Sequence, residues 1–215
     1  EGFESFEKWK VTLTETEQLK KIYTQSQLLS LKSQVNPHFL FNCLNTLSSL
    51  ITEDEEKAEK FLNELTRIYR YLLRGNEEQF VKLETELQFI NSYYYLIKAR
   101  YGESIQMTLD VEERYKDKLV TPLLLQTLFE YSFNTNMIAK DKPLKFHITT
   151  DSSGRLLFSN NIQPKQNAET VSTAGITNLS DKYRLLTGEE INVVNDFNVS
   201  SVKVPLLDEK KINIV

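Results

Sequence analysis

The chain has 215 residues, 40% hydrophobic and 26% charged, which fits a globular protein of one large or two small domains. A net charge of −4 and a pI of about 5.4 argue against non-specific binding to nucleic acid or an anionic membrane surface. One cysteine, Cys43, excludes an internal disulfide and reads as a small buried residue in a reducing compartment. No run of about 18 or more apolar residues is present, and no signal peptide is visible.

Residues from Leu13 to Val35 read as a long polar helix. Leu19, Ile22, Ser26, Leu29 and Ser33 keep a 3-4-3-4 spacing, the pattern of a weak coiled-coil seam, and residues 1–33 are expected to be a helical connector. Asn36-Pro37 is a helix-start pair: Asn caps free N–H groups, and Pro suits the first helical position.

The helix that follows carries two stripes. Leu40, Leu44, Leu47 and Ile51 are apolar; His38, Asn42, Asn45 and Ser49 are polar. One stripe is expected to be buried and the other offered to a partner or ligand. Thr52 to Glu55 then reads as an acidic turn. Ala58, Phe61, Leu62, Leu65, Ile68, Tyr69, Leu72 and Leu73 predict an amphipathic helix ending near Gly75. A third helix is predicted from Leu83 to Tyr101, with Leu87, Ile90, Tyr94 and Ile97 on one face, stopped by Gly102.

The pattern changes after Gly102. Residues 105–111 alternate as a strand, 122–139 read as a helix, and 144–150 alternate again. Asp151 to Gly154 is a turn and 155–159 a strand. A polar loop runs from Asn160 to Thr173, a helix from Ile176 to Leu186, and strands cover 191–194 and 199–204. An all-helical half therefore precedes an α+β half, with the boundary near 102–104.

His38 is one of two histidines in the chain. It sits one residue after Pro37, in the first turn after a helix break. From spacing alone it is a phosphate acceptor, a metal ligand or a packed or capping residue. His147 reads as a surface strand residue far away, and no Cys/His cluster supports a metal site.

The string "KSQVNPHFLFNCLNTL" (32–47) resembles the LytS/YehU-like sensor histidine kinases. The resemblance continues through "LTRIYRYLLR" (65–74), "VKLETELQFINSYYYLIKARYG" (81–102) and "TPLLLQTLFEYSFNTN" (121–136). It ends with "NLSDKYRLLTG" (178–188) and "VPLL" (204–207), covering residues 16 to 207 in order. It implies an α+β protein: a homodimerising helical phosphoacceptor region, here 34–102, then a Bergerat (GHKL-type) ATPase sandwich, here 103–215. The ATPase part is expected as an antiparallel sheet with helices on one face.

The resemblance also implies a membrane sensor upstream, a place at the cytoplasmic face of the membrane, and a response regulator as partner. His38 matches the phosphoacceptor, which attacks the γ-phosphate of Mg²⁺-ATP and passes the phosphoryl group to a regulator aspartate. Asn42 and Asn45 share its face and are placed to orient the ring.

The nucleotide half departs from the family pattern at three boxes. The family's Glu-Asn-x-x-Lys-His is here Glu130-Tyr131-Ser132-Phe133-Asn134-Thr135. Glu130 is kept, but Tyr131 stands where an asparagine should ligate Mg²⁺, and a phenol is a poor exchange for an amide carbonyl. Asn134, one turn from Glu130, is the remaining candidate to reach a metal. In the adenine-binding box Asn160 replaces aspartate and Ile162 the glycine. In the last box Gly175 and Asn178 survive, while Thr173 replaces the first glycine. The resemblance therefore implies a histidine kinase with an eroded ATP site. The alternative is a non-catalytic pseudokinase module that dimerises and docks a response regulator.

Overall fold

A computed structural model describes residues 37–74, 78–165 and 174–208. The expected helical connector, residues 1–33, and Thr173 lie outside the described residues. The chain divides into two compact units, Glu1–Leu44 and Asn45–Val215.

Helix α1 runs Pro37–Glu53, beginning at the proline as the helix-start pair predicts. Its apolar stripe is not buried along its length: Leu44 is 46% and Ile51 62% exposed. Cys43 is buried. Asp54 separates α1 from α2 (Glu55–Arg74). Its Oδ1 accepts from the Lys57 amide at 3.0 Å, an N-cap within the predicted acidic turn.

Along α2, Ala58, Phe61, Leu65, Ile68 and Leu72 are buried at helical spacing, against α3 (Leu83–Tyr101). Helix α3 is buried on more than the one predicted face: Leu83, Leu87, Ile90 and Ile97 are joined by Phe89, Tyr93 and Leu96. Ahead of α3, strand β1 (Val81–Lys82) pairs antiparallel with β3 (Leu119–Val120).

The second half is a five-stranded sheet in the order β2-β4-β5-β7-β6. Its strands are β2 (Ile105–Asp110), β4 (Leu144–Thr150), β5 (Arg155–Asn161), β6 (Asn192–Asn195) and β7 (Val199–Pro205). The expected antiparallel sheet is in fact mixed. Strands β2 and β4 run parallel, because the chain between them returns through helix α4 (Leu124–Thr135), a crossover that brings the next strand in along the same direction. The other pairings are antiparallel.

One sheet face is buried under helix. Phe129 of α4 packs on Phe146 of β4 with tilted rings at 4.3 Å and meets Phe158 of β5 edge-to-face at 5.3 Å, ring centroid to centroid. All three are fully buried, each contributing roughly 1.5–3 kcal/mol of transfer free energy. The alternate positions Gln106, Thr108, Lys145 and His147 are exposed. Helix α5 (Ala174–Thr187) packs beside α4. The α+β class is as expected. Helix α4 is shorter than its predicted 122–139, because Pro122 and Leu123 lie in the turn before it and Asn136 leaves the helical region.

One buried carboxylate ties three of the helices together. Glu86, in the first turn of α3, has no exposed surface. Its Oε1 accepts from the Tyr71 hydroxyl of α2 and from the Leu123 amide at 2.7 Å. Its Oε2 accepts from the Leu125 amide at 3.0 Å. Helix α4 has no side-chain cap of its own. The carboxylate of α3 serves instead, and the positive end of the α4 dipole favours its charge. Leu123, held by this bond, is the sole non-glycine residue with positive φ among the described residues, at 63°. That conformation costs roughly 1–2 kcal/mol.

Burial pushes the Glu86 carboxyl above its ordinary value, while the bonds from Tyr71, Leu125 and Leu123 pull it back. Glu86→Ala would strand three donors and is expected to cost about 3 kcal/mol or more, read as a fall in the urea midpoint. The native state holds this proton more tightly than the unfolded chain. Its contribution is therefore complete below the ordinary carboxyl pKa and lost as pH rises through the elevated one. Urea titrations from about pH 4 to about pH 8 should show a downward slope in the native protein that Glu86→Gln lacks.

Candidate functional site

His38 lies in the first turn of α1 and is exposed. Asn42 is one turn on, with its Nδ2 3.2 Å from His38 Nδ1 and 3.5 Å from Nε2. The two sequence candidates thus meet on one helix face. Asn45 is exposed, and its carbonyl accepts from the Ser49 hydroxyl at 3.4 Å. An amide beside an imidazole selects its tautomer: a carbonyl on Nδ1–H leaves the Nε2 lone pair for attack, and an N–H on Nδ1 leaves the proton on Nε2.

Helix α4 carries the nucleotide-box candidates. Glu130 accepts from Gln126 Nε2 at 2.8 Å through its Oε1. Tyr131 is half-buried and Asn134 exposed. Thr135, in the place of a cationic residue, donates to the backbone carbonyl of Tyr131 at 2.9 Å. Gly175 opens α5 beside α4: a Cβ there would stand 3.7 Å from Thr127 Cγ2. Asn178 lies one turn further and is exposed.

Asn160 is not in a loop as the sequence suggests. It is the sixth residue of β5, 4% exposed, on the face that α4 covers. Strand pairing to β4 and β7 continues through it, Asn160 opposing Phe146 and Ser200.

Its carbonyl accepts from the Ser132 hydroxyl of α4 at 2.9 Å, and its Nδ2 donates to the Asn161 carbonyl at 2.8 Å. Further bonds lock the following segment to the end of α4. Asn136 Nδ2 donates to the Ser132 carbonyl at 3.0 Å, and its Oδ1 accepts from the Gln163 amide at 2.6 Å. Met137 N donates to the Gln163 carbonyl at 2.7 Å, and Lys165 Nζ to the Phe133 carbonyl at 2.8 Å. Ser132, Asn136, Asn160 and Gln163 are all buried, so these bonds form in a low dielectric where each counts for more.

These residues do not make a good seat for Mg²⁺-ATP. The acceptor placed for the adenine amine is uncharged, buried and already bonded to Ser132. Tyr131 brings a ring where the metal needs an amide oxygen. Among the described residues no three His, Cys, Asp or Glu side chains group to hold a metal.

Sequence reasoning passed over Glu86, Tyr71 and Ser132. Glu86 left a signal, since it occupies a position of the apolar period Leu83, Leu87, Ile90. Ser132 left none, because its partner lies on a strand 28 residues away.

Residues 26–105 match the family model described as histidine kinase. The chain is 36% identical over 130 residues, 60% of its length, to the sensor histidine kinase/phosphatase LytS of Staphylococcus aureus. That match takes in 22% of the relative, so the chain spans about a fifth of the curated proteins it matches. Solved structures resembling it include a bacterial phosphotransferase (TM-score 0.45, 11% identity, 82% of this chain and 96% of that one). Another is the histidine kinase domain of the Erythrobacter litoralis blue-light activated kinase EL346 (TM-score 0.43, 16% identity, 87% and 96%). These matches support a resemblance to LytS-like sensor histidine kinases, carried by residues 26–105 and the 130 aligned residues. No helix among the described residues is long and apolar enough to cross a membrane.

Ser132→Ala removes the donor from Asn160 and leaves its buried carbonyl short of a partner. Its expected cost is about 1–2 kcal/mol in urea unfolding.

Proposed function

We propose that this chain is the phosphoacceptor and signalling core of a two-component sensor kinase whose own nucleotide site is weakened. His38 carries the phosphoryl group, and the aspartate of a response regulator takes it. The observation that supports this reading is an exposed imidazole at a helix start with an amide held 3.2 Å from Nδ1. With the Asn42 amide turned so that its carbonyl meets Nδ1–H, Nε2 attacks phosphorus and the donor's leaving group departs. A ring proton passes to solvent. The regulator's carboxylate then attacks phosphorus, the N–P bond breaks, and the imidazole regains a proton. The N-terminus of α1 favours the added negative charge.

A homodimer through the helical region belongs to the same reading. It is supported by apolar side chains that each unit leaves uncovered: Phe41 (66% exposed) in the first, Leu62 (49%) and Leu73 (60%) in the second. A place at the cytoplasmic face of a membrane, with a sensor in other parts of the protein, follows from the resemblance to LytS-like sensor histidine kinases and is proposed with it.

The second reading, a module with no kinase activity of its own, is favoured by the Ser132–Asn160 bond and by Tyr131. The two readings separate on ATP. Ligand at 100 times its dissociation constant stabilises by about 2.7 kcal/mol, which a thermal shift detects. The native chain is expected to show little shift with Mg²⁺-ATP, and Tyr131→Asn/Thr135→His a clear one. A full shift in the native chain would overturn the weakened-site reading.

Phosphoramidate, a chemical donor, bypasses the nucleotide. It should place an acid-labile phosphate on His38 that a receiver domain accepts. His38→Gln should abolish transfer, His147→Gln should leave it intact, and Asn42→Ala should slow it by about 2- to 10-fold. Label on His147 alone would sink the assignment of His38.

A further inference from the structure

Between α2 and α3, within the second unit, is a half-open groove of about 470 Å³ lined by Arg67, Tyr71, Thr85, Gln88, Phe89 and Ser92. None of these residues belongs to the phosphoacceptor turn or the nucleotide boxes. The volume falls in the range of small-molecule sites, roughly 300–1,000 Å³.

The walls are held in place by bonds outside the groove. The Tyr71 hydroxyl donates to the buried Glu86 carboxylate, which fixes its ring. Phe89 is 4% exposed and stands 4.6 Å from the Tyr71 ring, centroid to centroid. Ser92 is 6% exposed, and its hydroxyl donates to Glu64 Oε2 at 2.5 Å. A site whose walls are set in advance loses little entropy on binding.

The chemistry of the lining selects a class of ligand. Among the described lining residues the one formal cation, Arg67, is 69% exposed and paired with Glu64 Oε1 at 2.9 Å, so its charge is already matched. An ionic ligand would have to compete with the Arg67–Glu64 pair for its countercharge. Gln88 presents a carboxamide, a donor and an acceptor side by side, flanked by the Thr85 and Ser92 hydroxyls. Tyr71 and Phe89 add aromatic surface for a flat ring.

We propose that this groove is a binding site for a neutral planar ring bearing an amide-type donor–acceptor edge, the chemistry shared by aromatic carboxamides and nucleobases. The proposal goes beyond the phosphotransfer reading and does not depend on it. A ligand bound here would lie against the Tyr71 ring, one bond from the carboxylate that caps α4.

The test is nicotinamide titrated into the 215-residue chain, followed by amide chemical shifts. Expected is saturable binding with Kd of about 1 mM or tighter, and shifts centred on Thr85, Gln88 and Ser92. Benzoate and the N-methylnicotinamide cation, matched in shape but charged, should bind at least about tenfold more weakly. Gln88→Leu, at an exposed position, should weaken nicotinamide about 5- to 10-fold with the urea midpoint unchanged. Absence of saturation overturns the site, as do shifts centred on Ser132 and Asn160, equal binding of benzoate, or binding that falls as the chain self-associates. The last outcome would assign the groove to a second copy.

Discussion

The Glu86 carboxylate is the joint on which the two halves of the second unit depend. A charge without exposed surface is tolerated only when its lone pairs are met, and here a phenol and two amides meet them. The donors come from the last turn of α2 and the first turn of α4, while the acceptor sits on α3. Helix α4 therefore cannot move along its axis without breaking its cap. It carries Glu130, Tyr131 and Asn134, so the helix bearing the first of the three candidate boxes is indexed against the helical pair by one side chain. The αL conformation of Leu123 is part of the same arrangement: the turn is strained so that its amide points at the carboxylate.

The sheet supplies the other side of α4. Phe129, Phe146 and Phe158 form a three-ring contact that seats the helix on the parallel and antiparallel strands alike. Next to that apolar contact lies the polar patch of Ser132, Asn136, Asn160 and Gln163. In this chain protein groups bond to one another there. The Ser132 hydroxyl occupies the Asn160 carbonyl at 2.9 Å. The Ser132–Asn160 bond is the physical observation behind the proposed weakening of the nucleotide site.

The phosphoacceptor half follows different constraints. The phosphoryl-carrying role proposed for His38 needs contact with solvent, and His38 is exposed, since a helix start beside proline leaves the first turn open. The exposed Phe41 in the same turn region is apolar surface with a cost in water, which self-association of the helical region would relieve.

Much of this architecture was legible in the order of residues. Periods of 3.6 and 2 located α1 to α5 and the strands of the main sheet to within a few residues, because burial of one face is a local property of spacing. Pro37 announced the start of α1 and Gly102 the end of α3. The histidine and its asparagine were legible together, since four residues along a helix always share a face. The parallel pairing of β2 with β4 was not, because strand direction depends on where a crossover returns. The role of Glu86 was half visible, as a charge in an apolar period, but its donors lie 15, 37 and 39 residues away. The bond from Ser132 to Asn160 was invisible for the same reason. Sequence by itself determined the elements, the family resemblance and the candidate residues. Tertiary structure alone decided which polar groups are spent on one another, because that depends on distances between elements that no local pattern encodes.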